Sequence, residues 1–86
     1  MKMLRLQILT PEREFFHGDV EAVTVASSDG FVTVLAGHTP LITPVSVGTI
    51  RIKNDGVWKD AINSEGFMEV NHHGATIFVQ TCRKPP

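Results

Sequence analysis

Thr49-Ile50-Arg51-Ile52-Lys53-Asn54-Asp55-Gly56-Val57-Trp58-Lys59-Asp60-Ala61-Ile62 is the stretch on which the fold turns. Asn, Asp and Gly tolerate the positive φ of tight hairpin turns, so Asn54-Asp55-Gly56 reads as a turn between two strands. Before it, Ile50 and Ile52 alternate with Arg51 and Lys53, the period-two pattern of a strand with one buried and one wet face. A β-hairpin over 49–62 is therefore predicted first.

The same pattern recurs outward from it. Leu4, Leu6 and Ile8 alternate with Arg5 and Gln7. Punctuation by Gly and Asx comes at His17-Gly18-Asp19, Ser27-Ser28-Asp29-Gly30, Ala36-Gly37-His38, Val47-Gly48, Ser64-Glu65-Gly66 and Asn71-His72-His73-Gly74. A turn every seven to ten residues or so is the rhythm of an all-β sandwich or barrel. No eleven-residue window carries helical apolar spacing without an interrupting Gly or Pro, so no substantial helix is expected. Phe31-Val32-Thr33-Val34-Leu35 and Ala75-Thr76-Ile77-Phe78-Val79 are more continuously apolar or β-branched, which suits strands covered on both faces. They are the expected centre of the sandwich.

Eighty-six residues and 9.5 kDa leave room for one small domain. Residues 1–82 read as the sandwich. Arg83-Lys84-Pro85-Pro86, with charges and two prolines, reads as a tail or the start of a linker. Eight Lys and Arg against nine Asp and Glu give a net charge of -1 with no like-charge block, which disfavours nucleic acid or anionic lipid as the main partner. No apolar run approaches the ~20 residues of a membrane span. Met1-Lys2-Met3-Leu4-Arg5 reaches charge before a signal-peptide core develops, so a cytoplasmic location is expected. Cys82 is the single cysteine; it rules out an internal disulfide and fits a reducing compartment.

Catalytic and cofactor motifs are missing. Pro44-Val45-Ser46-Val47-Gly48 lacks the first glycine of a nucleophile elbow and leads into a strand. Neither phosphate-cradling glycine motif occurs, so no nucleotide or other cofactor site is read. His72 and His73 read as part of a polar turn rather than a metal site, because no Cys pair or HExxH spacing accompanies them. Trp58 and the phenylalanines at 15, 16, 31, 67 and 78 read mainly as core, with a stacking platform for a sugar or a base as the alternative. Adjacent Phe15 and Phe16 must face opposite ways on a strand, which leaves a partner surface or a loop cover open for one of them. In Ala36-Gly37-His38-Thr39-Pro40-Leu41, Gly allows a sharp turn and Pro stiffens the backbone, so the lone imidazole is either presented for contact on a rigid loop or belongs to an ordinary strand connection in which His38 hydrogen-bonds a nearby carbonyl.

Leu6-Gln7-Ile8-Leu9-Thr10-Pro11-Glu12-Arg13, Phe16-His17-Gly18-Asp19-Val20, Gly37-His38-Thr39-Pro40-Leu41, Gly48-Thr49-Ile50-Arg51-Ile52 and Gly66-Phe67-Met68-Glu69-Val70 follow one another in an order and spacing that closely resembles the amino-terminal domain of the ATP synthase epsilon subunit. The Gly-His-x-Pro-Leu element is the most specific part. The resemblance implies a flattened sandwich of about ten short strands at the foot of the rotating central stalk, bound to gamma and touching the ring of c subunits. It implies a non-catalytic subunit on the cytoplasmic face of the cell membrane, monomeric when alone and reaching the membrane only through the complex. By the same resemblance Thr10, His38 and Thr43 would face gamma, and Ser28, Asp29 and Phe31 would lie in the loop nearest the ring. Ala36 and Phe31 depart from the Pro and the small or acidic residue common in the family. The family's carboxy-terminal helical hairpin is not expected here, and no inhibitory or nucleotide-sensing role is carried over. The rival reading is a free-standing sandwich that binds a glycan through Trp58 and exposed aromatics.

Overall fold

A computed structural model describes residues 2–86 and contains ten strands and no helix among them. They are β1 Leu4–Leu9, β2 Glu14–Val20, β3 Ala22–Ser27, β4 Gly30–Leu35, β5 Leu41–Val45, β6 Gly48–Asn54, β7 Val57–Asn63, β8 Gly66–Asn71, β9 Gly74–Val79 and β10 Cys82–Arg83. One five-stranded sheet runs β2-β1-β9-β8-β5 and the other β10-β7-β6-β3-β4. The predicted hairpin is β6–β7, with Asn54 opposite Val57 and positive φ at both Asp55 (52°) and Gly56 (75°). Two successive left-handed residues give the turn a twist that matches the strands it joins. The Gly56 N–H donates to Glu21 Oε1 at 2.7 Å, which ties this turn to the point where the chain crosses from β2 in one sheet to β3 in the other.

Inward-facing positions of both sheets fill the core, and they are aliphatic. Leu6 and Ile8, Val23 and Val25, Val34, Ile50, Met68 and Ile77 are fully enclosed. None of the aromatic side chains belongs to this set. The expectation that most of them form the core is therefore corrected. Phe31, Trp58, Phe67 and Phe78 occupy the outward parity of their strands, and Phe15 and Phe16 are half-buried against the core on edge strand β2.

Ala75–Val79 does form the central strand of its sheet, as β9, but Phe31–Leu35 forms β4 at a sheet edge. Only Val32 and Val34 of that strand turn inward, while Phe31, Thr33 and Leu35 are exposed. Its lack of charge made an edge read as a centre. Gly18 is likewise not a turn residue: it pairs with Leu6 inside β2, and the Phe16 ring lies 3.5 Å from where its Cβ would stand. At the other end of the chain Arg83 pairs with Ile62, so the ladder runs one residue beyond the expected domain limit at residue 82.

A polar knot closes one end of the sandwich. Asn63, 2% exposed, donates from Nδ2 to Ser46 O at 3.0 Å and to Ser64 O at 2.7 Å. Ser64 Oγ accepts from the N–H groups of Gln80 (3.0 Å) and Thr81 (2.9 Å). Three connections between strands are thereby joined without a disulfide.

Candidate functional site

The outward face of the β2-β1-β9-β8-β5 sheet carries an uncovered apolar row. Leu9 is registered with Phe78, Phe78 with Phe67, and Phe67 with Pro44, so four strands contribute one residue each to a line across the sheet. Phe67 and Phe78 stack with centroids 4.8 Å apart and rings 22° from parallel. Phe67 stays 47% exposed and neighbouring Ile42 72% exposed. At the β1 end, Leu9, Thr10, Pro11, Phe67, Phe78 and Gln80 line an open depression of about 410 Å³. Large apolar side chains exposed in a contiguous line mark a partner surface more than scattered ones do.

The row exists because of strand parity. Met68 and Val70 face the core, so Phe67 faces out; Ile77 and Val79 face the core, so Phe78 faces out. Reading that alternation along both strands identifies the row from sequence, a signal hidden when phenylalanine is assigned to the core by hydrophobicity alone.

Thr10 adjoins this row; Thr43 neighbours it only along the chain, with its side chain on the other face. Thr10 follows Leu9 and closes the β1–β2 turn, with its Oγ1 donating to Arg13 O at 3.0 Å and its N–H donating to the same oxygen at 2.9 Å. Thr43 precedes Pro44 on β5, is paired with Met68 and is half-buried on the inward parity of that edge strand. His38 is not brought to the row. It lies on the β4–β5 connection beyond Leu41, toward the end of the sheet that carries the Asn71–Gly74 turn. Its Nδ1 is 2.7 Å from Thr39 O and its N–H donates to Leu35 O at 3.1 Å.

Ser28 and Asp29 form the two-residue β3–β4 turn, followed by Gly30 at φ 126° and by Phe31, which is 73% exposed. The Ser46 N–H donates to Ala26 O at 2.9 Å, so the β5–β6 connection lies at the same end of the sandwich as this turn, and Thr10–Arg13 lies there too.

The outward face of the second sheet is different in chemistry. The Arg51 guanidinium lies 5.2 Å and the Lys53 ammonium 5.9 Å from the centre of the Trp58 ring, and Arg51 Nε meets Asp60 Oδ1 at 3.1 Å. The tryptophan is already engaged by cations of its own sheet. His72 and His73 sit on the β8–β9 turn, where the His73 N–H donates to Asn71 Oδ1 at 2.8 Å. No group of three His, Cys, Asp or Glu side chains converges to hold a metal among the described residues. Cys82 is buried, and desolvation pushes its thiol pKa above the ordinary 9.0 against the opposing influence of Arg13 and a backbone hydrogen bond.

Comparison with known proteins gives a consistent picture. The family model described as the ATP synthase delta/epsilon chain β-sandwich domain matches residues 3–85. An ATP synthase epsilon chain of Caldanaerobacter subterraneus subsp. tengcongensis is 45% identical over 85 residues, covering 98% of this chain and 62% of the relative. The epsilon chain of Bacillus subtilis is 35% identical over 82 residues, covering 95% and 62%. The chain thus spans about three-fifths of the length of these curated relatives. Among solved structures, a chain of the Euglena gracilis mitochondrial ATP synthase superposes with a TM-score of 0.86 at 23% identity, covering 93% of this chain and 52% of the other. A chain from the Tetrahymena thermophila mitochondrial ATP synthase central stalk and c ring gives 0.83 at 14% identity, covering 96% and 67%. At such identities these two likenesses speak for the fold.

Proposed function

The chain belongs to the ATP synthase delta/epsilon β-sandwich family, and on that premise we propose that it is a non-catalytic rotor subunit of the central stalk, clamping gamma to the c ring so that torque passes between them. The supporting observation is the uncovered row Leu9-Phe78-Phe67-Pro44, adjoined by the Thr10 that the family resemblance assigns to gamma; Thr43, assigned with it, faces the other way on β5. An apolar line of this kind is stable in water only at a cost, and a partner face relieves it. The Ser28-Asp29 turn with exposed Phe31 is the contact to the polar loops of the ring. His38 adds a peripheral gamma contact at the far end of the same sheet.

The surface is large enough for both contacts. The folded chain exposes 5425 Å², and two interfaces of about 800 Å² on this side would take roughly a third of it. Among the described residues no helix is long and apolar enough to cross a membrane. In this reading the chain sits at the cytoplasmic face of the cell membrane through the complex, not through lipid. Glycan binding is the weaker reading, since Trp58 carries Arg51 and Lys53 over its ring.

Co-expression with gamma and purification through a tag on gamma tests the proposal. The chain should co-elute, and Phe67→Glu should abolish co-elution while the far-ultraviolet spectrum stays that of a β-protein. Recovery of Phe67→Glu with gamma at the parent level would overturn the assignment of this face.

A further inference from the structure

Two open sheets leave four edge strands, and three of them are defended against pairing. β2 carries Glu14, His17 and Asp19 and a register irregularity opposite Ile8 and Leu9. β5 carries Pro44, and β10 is two residues long. Charges, proline, irregular register and short length are the usual ways in which edges avoid further strands. β4 has none of them: Gly30-Phe31-Val32-Thr33-Val34-Leu35 contains no charge and no proline, and pairs with β3 without irregularity.

Backbone parity shows what this edge presents. Ser27 and Gly30 close a two-residue hairpin, so Gly30, Val32 and Val34 turn their N–H and C=O groups toward β3. Phe31, Thr33 and Leu35 turn theirs away from it, with Leu35 O already accepting from the His38 N–H at 3.1 Å. Their side chains are exposed as well, Leu35 to 55%.

We infer that β4 is a self-pairing edge, at which a second copy of this chain adds antiparallel about a two-fold axis through Thr33. This register is the one that sets the out-turned residues against each other. Thr33 meets the Thr33 of the second copy, and the two exchange backbone hydrogen bonds. Each Phe31 meets the Leu35 of the other copy, so both exposed apolar side chains gain an apolar neighbour, and Val32 meets Val34 on the inward side. The same axis brings the turn bearing acidic Asp29 toward the connection bearing His38, twice. An isologous contact requires a patch complementary to itself, and the sequence of β4 satisfies that requirement in polarity at every position. The product is closed, because each copy uses its unprotected edge once.

An edge of six residues is ~20 Å long and buries less than the ~1,200 Å² of a stable interface, so the pairing belongs to concentrated protein. Dilute chain is monomeric. The inference does not rest on the rotor reading, although the pair would cover Phe31 and so belong to unassembled chain.

Light scattering after size exclusion, from micromolar up to ~1 mM loading where weak association becomes visible, should show the mean mass rising from 9.5 kDa toward twice that value. Thr33→Lys should remove the rise and lower the melting temperature of the dilute chain only slightly, through loss of the exposed Thr24 Oγ1–Thr33 Oγ1 hydrogen bond at 2.8 Å. A short bis-maleimide should join Thr33→Cys to itself, but Phe31→Cys only when mixed with Leu35→Cys; the parent, whose Cys82 is buried, is the blank. A mass that stays at one chain throughout, association that continues past two copies, an unaffected Thr33→Lys, or Phe31→Cys that joins to itself as fast as Thr33→Cys would each overturn the inference. Failure of the gamma test above would leave it standing.

Discussion

Gly66 stands so close to Phe78 that a Cβ on it would collide with the Phe78 carbonyl. Nothing flexible is available to yield, because the obstacle is the backbone of the central strand. The two strands are held at this separation by the ladder that also aligns Phe67 with Phe78, so the glycine and the ring stack are parts of one arrangement.

Gly66→Ala should therefore destabilise the fold by about 1 to 3 kcal/mol, as overpacking does. Urea unfolding at constant m-value would show it as a lower midpoint. An unchanged midpoint would mean that β8 and β9 separate freely.

Phe67→Ala separates binding from folding. The side chain is half exposed, so its removal should lower stability by less than ~1 kcal/mol, whereas burial of the ring by gamma would make it worth ~1.5 to 3 kcal/mol in association. Titration of the variant and the parent with labelled gamma, beside thermal melts of both, gives the two numbers.

If the Ser28-Asp29 turn meets the ring as proposed, Phe31→Ser should uncouple ion pumping from ATP hydrolysis more than Asp29→Asn in reconstituted vesicles at physiological salt. An exposed charge pair contributes ~0 to 1 kcal/mol and is screened. The exposed Phe31 ring has more to gain from cover, and its loss should not lower the melting temperature of the free domain.

How much of this is legible in the chain itself depends on the strand. Between Thr49 and Ile62 both the turn chemistry and the alternation are legible, because Arg51, Lys53 and Asp60 label the wet face; Lys59, registered with Ile52, is the exception, an exposed charge on the inward parity near the turn. Along Phe31–Leu35 and Ala75–Val79 the outward positions hold phenylalanine, leucine and threonine, so hydrophobicity no longer reports direction and only parity does; on β8 Glu69 and Asn71 do mark the wet face, but Phe67 shares it with them. That loss of contrast made β4 read as a centre and hid the Leu9-Phe78-Phe67-Pro44 row. Thr10 and Thr43 were reached through family resemblance; nothing in their own chemistry distinguishes them, as the Thr10 hydroxyl is committed to Arg13 O.

Asn63→Leu should cost roughly 1 to 3 kcal/mol, because it strips the Ser46 and Ser64 carbonyls of their donor. Asn63 Oδ1 is itself buried without a protein partner, so the change also removes one unsatisfied acceptor and the loss should fall in the lower half of that range. Equilibrium unfolding in urea measures it.

The raised Cys82 pKa gives a pH dependence of known sign. The folded state disfavours the thiolate, so this contribution is fully present below the ordinary value of 9.0 and is lost as pH rises from there through the folded-state pKa. The unfolding midpoint of the parent should fall more steeply as pH rises above 9.0 than that of Cys82→Ala. Parallel curves would remove Cys82 as the cause.

β1 and β9 form the parallel pair of the fold, with Leu6 beside Ala75 and Leu9 beside Phe78. During synthesis the first strand therefore emerges from the ribosome long before its central neighbour exists, with only β2 to lean on. Hairpins such as β6–β7 can close as they appear, but the first sheet has no middle until residue 79 has been made. Contacts so distant along the chain slow folding. The interval in which Leu4, Leu6 and Ile8 wait uncovered is built into the order of the strands.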